Sequence, residues 1–235
     1  MIPILISLVF TQDIQVENRT RIVVIDTGIK LEYLNNPALC KNGHVDFTNT
    51  TLDDQHGHGT NVAGLIANHI NTERQCITIF KVFSEEKKTA TIINRLQSKV
   101  IWIVRAIVEA IKIKAKYINM SYGGNEPNDT EKLTIEMALK RDIRIIVAMG
   151  NEGKDFDQVP CDFYPACYPL MDKSNWYTVA NRDNQGRYHP TSNINGPEKY
   201  SYYGVNQSAW GVVMSGTSQA TANFTGWLAK KEDLK

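Results

Sequence analysis

Short apolar runs alternate along this chain with longer stretches in which apolar residues recur at helical spacing. Four of the short runs lie at residues 21–25, 77–82, 116–120 and 143–149, and a polar residue or glycine directly follows all of them except 77–82. Unbroken apolar runs of this length are typical of strands that are covered on both faces. The alternation therefore predicts an α/β protein with a mostly parallel central sheet.

Two longer stretches have the periodicity of amphipathic helices. Apolar residues recur at helical spacing over residues 100–111 with charged residues between them, which predicts a helix that covers the core. Residues 131–141 predict a second helix, capped by Asp129 or Thr130. The charged run at 85–88 predicts a solvated loop.

Polar side chains stand where three of the predicted strands end. Asp26, Ser121 and Asn151 each follow the carboxyl end of an apolar run. Ligands bind at that edge of an open parallel sheet. The pattern alone therefore predicts that separate segments deliver these three residues to one site.

Composition limits the domain count and the classes of partner. With 235 residues, 42% hydrophobic, the chain suits one large domain. The formal charge of +1 gives no reason to expect a nucleic-acid partner. The apolar run at residues 2–10 is too short to span a membrane. We expect a monomer, with no nucleic acid and no membrane as partners.

The apolar run at the amino terminus suggests a division of the chain. We assign residues 1–20 to an amino-terminal segment, either the remnant of a signal peptide or an arm that docks on the domain, and residues 21–235 to the domain itself. A signal remnant would make the protein secreted or extracytoplasmic.

Four cysteines occur without the paired spacing of a zinc site. Cys161 and Cys167 flank a loop-like stretch in which a short disulfide bridge can form. Buried or free thiols are an equal alternative, because connectivity cannot be read from sequence.

Two motifs in the first third of the chain carry an acid and a histidine. Asp26 lies in Val-Ile-Asp-Thr-Gly, where a buried acid is either satisfied by loop amides or orients a histidine. His58 lies in Gly-His-Gly-Thr-Asn, a tight helix start that can face a cleft. His56 and His58 could instead ligate a metal, but no His-Glu-x-x-His pattern supports that hypothesis.

Two later motifs carry a serine and an asparagine. Ser218 stands in Gly-Thr-Ser-Gln-Ala before a helical pattern, where a helix amino terminus favours negative charge; the alternative is an ordinary N-cap. Asn151 in Gly-Asn-Glu-Gly is either a donor beyond a strand end or a turn asparagine.

Taken together, the four motifs resemble those of the subtilisin family. Asp-Thr-Gly, His-Gly-Thr, Gly-Asn-Glu-Gly and Gly-Thr-Ser occur here in the order in which that family carries them. Ile-Asn-Met-Ser-Tyr-Gly-Gly at 118–124 and Tyr-Pro-Ala-Cys-Tyr-Pro at 164–169 resemble further family segments. The resemblance runs from about Arg21 to Leu228. It implies a three-layer αβα fold that is subtilisin-like and shortened at its C-terminus.

The resemblance also implies a serine endopeptidase that acts on polypeptides. Asp26, His58 and Ser218 would form its catalytic triad, with Asn151 as an oxyanion donor. The resemblance also implies a set of substrate-binding residues. Some belong to a strand that pairs with the substrate backbone, and others form the walls of a pocket for an apolar or aromatic side chain at the cleaved position. They are Ser121, Tyr122, Gly123, Ala148, Met149 and Gly150.

Some positions depart from the family pattern. Asn61 stands where many members have a second histidine, and Gln219 replaces the methionine that usually follows the nucleophile. The expected Ala-Pro-Gly stretch is missing, and the short segment at 70–77 leaves no loop for the family's tight calcium site, so we expect no metal and no cofactor.

Two other functions compete with the peptidase. The departures favour an inactive subtilisin-like domain that serves as a binding module, while the intact set of catalytic residue types argues against it. A lipase or esterase would need a Gly-x-Ser-x-Gly elbow, and the sequence around Ser218 does not match that pattern.

Overall fold

The protein is seen here as a computed structural model that describes residues 17–84 and 92–234, with the backbone alone over 92–99. The apolar run at 2–10 and the charged run at 85–88 lie outside these residues. The strands are β1 (Thr20–Asp26), β2 (Val45–Asp46), β3 (Gln75–Lys81), β4 (Tyr117–Met120), β5 (Arg144–Ala148), β6 (Trp176–Arg182), β7 (Tyr200–Tyr203), β8 (Gln207–Ala209) and β9 (Val212–Met214). The helices are α1 (His58–Ala67), α2 (Ile92–Lys112), α3 (Asp129–Leu139) and α4 (Thr217–Asp233).

Seven of the described strands form one sheet in the order β2-β3-β1-β4-β5-β6-β7. Every neighbouring pair in it is parallel. The four strands predicted from the apolar runs are confirmed as β1, β3, β4 and β5. Strand β1 lies between β3 and β4, so consecutive crossovers leave it in opposite directions and a crevice opens at its carboxyl end, where Asp26 stands.

Alternate residues of each strand face opposite layers, which confirms the three-layer αβα arrangement. In β1, Val23 and Ile25 pack in the core that α2 and α3 cover, whereas Ile22 and Val24 pack in the core that α1 and α4 cover. Both cores are apolar because a parallel sheet is buried on its two faces.

Helix α3 begins two residues before the predicted stretch, and its cap differs from our prediction. The Asn128 side chain accepts a hydrogen bond from Glu131 N at 3.0 Å and is the N-cap. Asp129 and Thr130, the predicted caps, lie inside the helix. All three residue types accept such bonds, so the choice depends on where the chain leaves its extended conformation.

The later strands are harder to predict from the sequence than the first ones. Strand β6 ends in polar residues, β7 reads Tyr-Ser-Tyr-Tyr, and β8 and β9 form a short antiparallel hairpin. None of these carries a long unbroken apolar run, because β7 lies at the sheet edge and the hairpin lies outside the sheet.

Two disulfide bonds link the four cysteines, Cys40 to Cys76 and Cys161 to Cys167. The short bridge is therefore present, and the alternative of free thiols is wrong. At the start of the described chain, Arg19 donates hydrogen bonds to the carbonyls of Pro37, Leu39 and Thr72. Within the described residues, no helix combines the length and apolar character needed to cross a membrane.

Candidate active site

Asp26 ends β1 at the central crevice and is almost fully buried. Its Oδ1 accepts hydrogen bonds from Thr27 N and from His58 Nδ1, each at 2.7 Å. A carboxylate only accepts, so Nδ1 carries a proton and Nε2 is left as the basic nitrogen of a neutral imidazole. This is the tautomer that a general base requires.

His58 is the first residue of α1, and its position depends on close packing of that helix against the loop after β1. A Cβ atom at Gly59 would lie 2.4 Å from Gly28 O, so a larger residue there would push the helix away from Asp26. The imidazole keeps a fifth of its surface exposed. It is therefore both paired with a buried acid and open to the cleft.

Opposing effects act on the pKa of His58. Burial lowers the pKa, but the charge of Asp26 and its hydrogen bond, helped by the charge of Asp54, outweigh burial and raise it above its ordinary value of 6.5. The pair thus stabilises an imidazolium, the form that exists after proton uptake.

Asp54 is a functional residue that the sequence did not single out. It is buried, and its carboxylate accepts from Thr27 Oγ1, Gly57 N and Thr60 N at 2.8–2.9 Å. These bonds hold the pKa of Asp54 below its ordinary value despite burial, so the group is charged. It caps α1, which has no side-chain bond at its own N-cap, and fixes the loop after Asp26. In the sequence, the only indication of this role is an acidic residue four positions before His58.

Ser218 is the second residue of α4, and its hydroxyl is hydrogen-bonded to the segment after β4. Ser218 Oγ donates to Ser121 O at 2.9 Å, and Ser121 Oγ donates to Ser218 O at 3.0 Å. The hydroxyl is therefore paired with the segment after β4 and not with His58. The structure joins Asp26 to His58 directly but does not form the third link of the predicted triad.

A buried polar bridge joins the helices that carry His58 and Ser218. Gln219 Nε2 donates to Asn61 Oδ1 at 3.0 Å, one residue after Ser218 and three after His58. Asn61 Nδ2 donates in turn to the carbonyls of Gln207 and Val212 in the β8–β9 hairpin. The two departures from the family pattern are thus partners of each other, and they hold both helix starts at the same crevice.

Asn151 lies just beyond β5 and turns its amide toward the start of α4. Its Oδ1 accepts from Thr217 N at 2.9 Å. Gly216, the residue before α4, is needed here because a Cβ atom on it would come within 3.1 Å of Asn151 Oδ1. With the oxygen occupied by Thr217 N, Nδ2 is the free donor, and it lies beside the first turn of α4, where backbone N–H groups have no partner within the helix.

The segment after β4, predicted to pair with substrate, combines a buried and an open part. Ser121 is buried, while Gly123 is exposed and offers its backbone to solvent. Tyr122 OH donates to Glu131 Oε1 at 3.4 Å, and Tyr168 OH donates to Glu131 Oε2 at 2.7 Å. Burial raises the pKa of Glu131, which the two hydroxyls oppose. The network anchors this segment to α3.

The predicted opposite wall, Ala148, Met149 and Gly150, is buried along its whole length. Gly150 N donates to Thr217 Oγ1 at 3.2 Å, and Gly150 O accepts from Asn193 N at 3.0 Å. Backbone atoms of this segment are thereby fixed between α4 and Asn193.

No metal centre emerges from the described side chains. The His56 and His58 rings lie with centroids 6.1 Å apart, and neither joins a cluster of three potential ligands in the described part of the chain. The cluster that does occur there combines Glu17 with Cys40 and Cys76, and both cysteines are consumed by their disulfide bond.

The amino-acid sequence is similar to a family model and to individual proteases. A family model described as the subtilase family matches residues 17–234. "Subtilisin-like protease 2" of Trichophyton verrucosum is 31% identical over 134 residues, which cover 56% of this chain and 31% of that protein. "Intracellular serine protease" of Paenibacillus polymyxa is 31% identical over 157 residues, covering 63% and 46%. The chain thus spans less than half the length of these relatives.

Solved structures share the fold at low identity. A lanthipeptide protease superposes with a TM-score of 0.70 at 19% identity, covering 88% of this chain and 71% of that one. A cold-adapted subtilisin-like serine proteinase superposes with a TM-score of 0.64 at 23% identity, covering 93% and 78%. At these identities the likeness concerns the fold alone.

Proposed function

The chain belongs to the subtilase family, and from this premise we propose that it is a serine endopeptidase that works through an acyl-enzyme intermediate. One observation carries the proposal: a buried carboxylate is bonded to the Nδ1 of a histidine whose other nitrogen is free, at the crevice where α4 presents Ser218. Such a pair has the chemistry to accept the proton of a serine hydroxyl.

Attack on the scissile carbonyl requires the hydroxyl of Ser218 to exchange partners. Rotation about its Cα–Cβ bond would carry Oγ from Ser121 O to Nε2 of His58, which takes the proton as the bond to substrate forms. His58 then passes that proton to the leaving amine. Asp26 keeps the imidazole in its tautomer and stabilises the imidazolium, and hydrogen bonds of this kind commonly tighten only when substrate binds.

The negative oxygen of the tetrahedral intermediate needs donors that are fixed in advance. We assign this role to Asn151 Nδ2 and the backbone N–H of Ser218. The bond from Thr217 N to Asn151 Oδ1 supports the assignment, because it orients the amide and costs no reorganisation during reaction. The amino terminus of α4 adds a favourable dipole.

The substrate would be an extended polypeptide that adds a strand along Ser121, Tyr122 and Gly123. The exposed backbone of Gly123 supports this mode, because unpaired amide and carbonyl groups bind extended peptides. A recess of about 250 Å³ beside Thr27 and His56 offers room for a neighbouring substrate side chain. The enzyme would act as a monomer and without nucleic acid, metal or cofactor.

We also propose a secreted or extracytoplasmic location. All four cysteines are paired, and disulfide bonds persist mainly in oxidising compartments.

Casein digestion tests the proposed activity. The purified chain is expected to cleave casein, and Ser218→Ala is expected to lower the rate at least about a thousandfold because the nucleophile is gone. Ser208→Ala, at an exposed serine on β8, is the matched control and should retain full rate.

The competing functions give different results in this assay and in a second assay on a small ester. A binding module would retain casein without cutting it. An esterase would hydrolyse p-nitrophenyl acetate and leave casein intact. Either result would contradict the peptidase proposal.

A further inference from the structure

Phe163 lies between Gly123 and Gly150, which the resemblance to the subtilisin family places in the two walls of the primary specificity pocket, the pocket for the side chain at the cleaved position. A Cβ atom on Gly123 would lie 2.2 Å from Phe163 Cε1, and a Cβ atom on Gly150 would lie 2.8 Å from Phe163 Cδ2. Cε1 and Cδ2 are opposite corners of one phenyl ring. The ring therefore spans the gap from wall to wall and is itself only 8% exposed.

The loop that carries Phe163 is tied to the first wall through its backbone. Tyr164 N donates to Gly124 O at 2.7 Å, and Gly124 N donates to Tyr164 O at 2.9 Å. This antiparallel bridge joins the residue after Phe163 to the residue after Gly123. The backbone next to Phe163 thus cannot leave the first wall without loss of two hydrogen bonds, and burial of the ring between Gly123 and Gly150 limits its rotamers.

Further ties hold the loop closed and join it to the second wall. The Cys161–Cys167 disulfide encloses Phe163 in a short loop. Lys154 Nζ contacts both carboxylate oxygens of Asp162 at 2.7 Å, linking the neighbour of Phe163 to the segment that follows Gly150 and Asn151. Because the loop is bonded to the segments on both sides, the fold fixes the position of the backbone that carries the ring.

We infer that Phe163 closes the primary specificity pocket, so that this peptidase cleaves after small residues such as glycine, alanine or serine. A large side chain would need the volume that the tethered ring already fills, and overpacking of a filled site is unfavourable. This inference replaces our expectation of an apolar or aromatic residue at the cleaved position. That expectation rested on the residues of the walls and did not take account of Phe163, which lies between them. The inference rests on the proposed function, because it concerns the pocket of that same site.

Peptides that share their flanking residues and differ at the cleaved position test the inference. We expect the wild-type chain to have a kcat/KM for alanine that exceeds the value for phenylalanine by on the order of a hundredfold. In Phe163→Ala the vacated space should accept an aromatic ring, and the phenylalanine-to-alanine ratio should rise by a similar factor.

Phe156→Ala is the matched control, because Phe156 is also a phenylalanine that is 8% exposed and does not bridge the two glycines. It should lower thermal stability much as Phe163→Ala does while leaving the preference unchanged. Wild-type cleavage after phenylalanine as fast as after alanine would overturn the inference, and this comparison decides the matter even if Phe163→Ala fails to fold. A folded Phe163→Ala with an unchanged ratio would also overturn it.

Labelling by a fluorophosphonate separates this inference from the proposed function. Wild-type protein that is labelled at Ser218 and cleaves after large residues contradicts only the role of Phe163. Wild-type protein that is neither labelled nor active on any of the peptides contradicts the proposed peptidase and, with it, the inference.

Discussion

Asn151 is held through its amide oxygen, which leaves the amide nitrogen as a donor toward the crevice. If that nitrogen grips the developing oxyanion, Asn151→Ala should reduce kcat by on the order of 10²–10³-fold with little change in KM, because the bond forms only in the transition state. Steady-state kinetics on one peptide substrate measure both quantities. An unchanged kcat would refute the assignment.

The raised pKa of His58 would set the pH range of the proposed activity. Burial lowers that pKa, but Asp26 more than compensates, so the group titrates above its ordinary 6.5. A general base must be neutral, and therefore kcat/KM should fall as pH drops through a midpoint above 6.5. A pH–rate profile measures the midpoint. Asp26→Asn should move it to lower pH, since the stabilising charge is lost; a midpoint that stays in place would contradict the pairing.

Single residues differed in how well the sequence revealed them. Asp26 and His58 stood in recognisable motifs, and a hydrogen bond joins them in the structure, while the catalytic role assigned to them stays a prediction. Asp54 and Phe163 were not predicted, because their roles follow from which backbone amides or glycines the folded chain places beside them. The partner of the Ser218 hydroxyl was also not predicted, since a side-chain rotamer is set by local contacts and not by a motif.

Helices α1 and α4 meet through the bridge between Asn61 and Gln219. Asn61→Ala would leave Gln219 Nε2 without its partner, which costs about 1–3 kcal/mol, and would remove one hydrogen bond from each of two hairpin carbonyls, worth about 0.5–1.5 kcal/mol each. We expect the free energy of unfolding to fall by about 3 kcal/mol, measured by urea denaturation. Asn35→Ala, at an exposed asparagine, should change stability by less than about 0.5 kcal/mol. Equal effects of the two variants would contradict the bridge.

Elements with strong apolar patterns were predictable, and those with mixed patterns were not. Strands β1, β3, β4 and β5 are buried on both faces, so their sequences are mostly apolar. The edge strand β7 combines tyrosines with a serine, and the strands of the β8–β9 hairpin are only three residues each; all three strands are partly exposed, so none has a long apolar run. Helix α3 was predicted, but its cap was misplaced because several consecutive residues are good caps.

At the scale of the whole molecule, the two disulfides should differ in their contribution to stability. Cys40–Cys76 spans 36 residues and Cys161–Cys167 spans 6, so the first removes more entropy from the unfolded chain. Replacing both cysteines by alanine should cost about 4 kcal/mol for the first pair and about 2 kcal/mol for the second. Urea midpoints of the two double variants measure the difference. A larger loss from the short loop would contradict the ranking.

The central claim is that Asp26, His58 and Ser218 act as one proton-transfer unit although the hydroxyl of Ser218 rests on Ser121. The rate of phosphonylation by a fluorophosphonate probe, with the modified residue located by mass spectrometry, tests it most directly. The account predicts one modified residue, Ser218, and a rate that His58→Ala lowers at least about a thousandfold. Modification at another residue, or a rate that does not depend on His58, would contradict it.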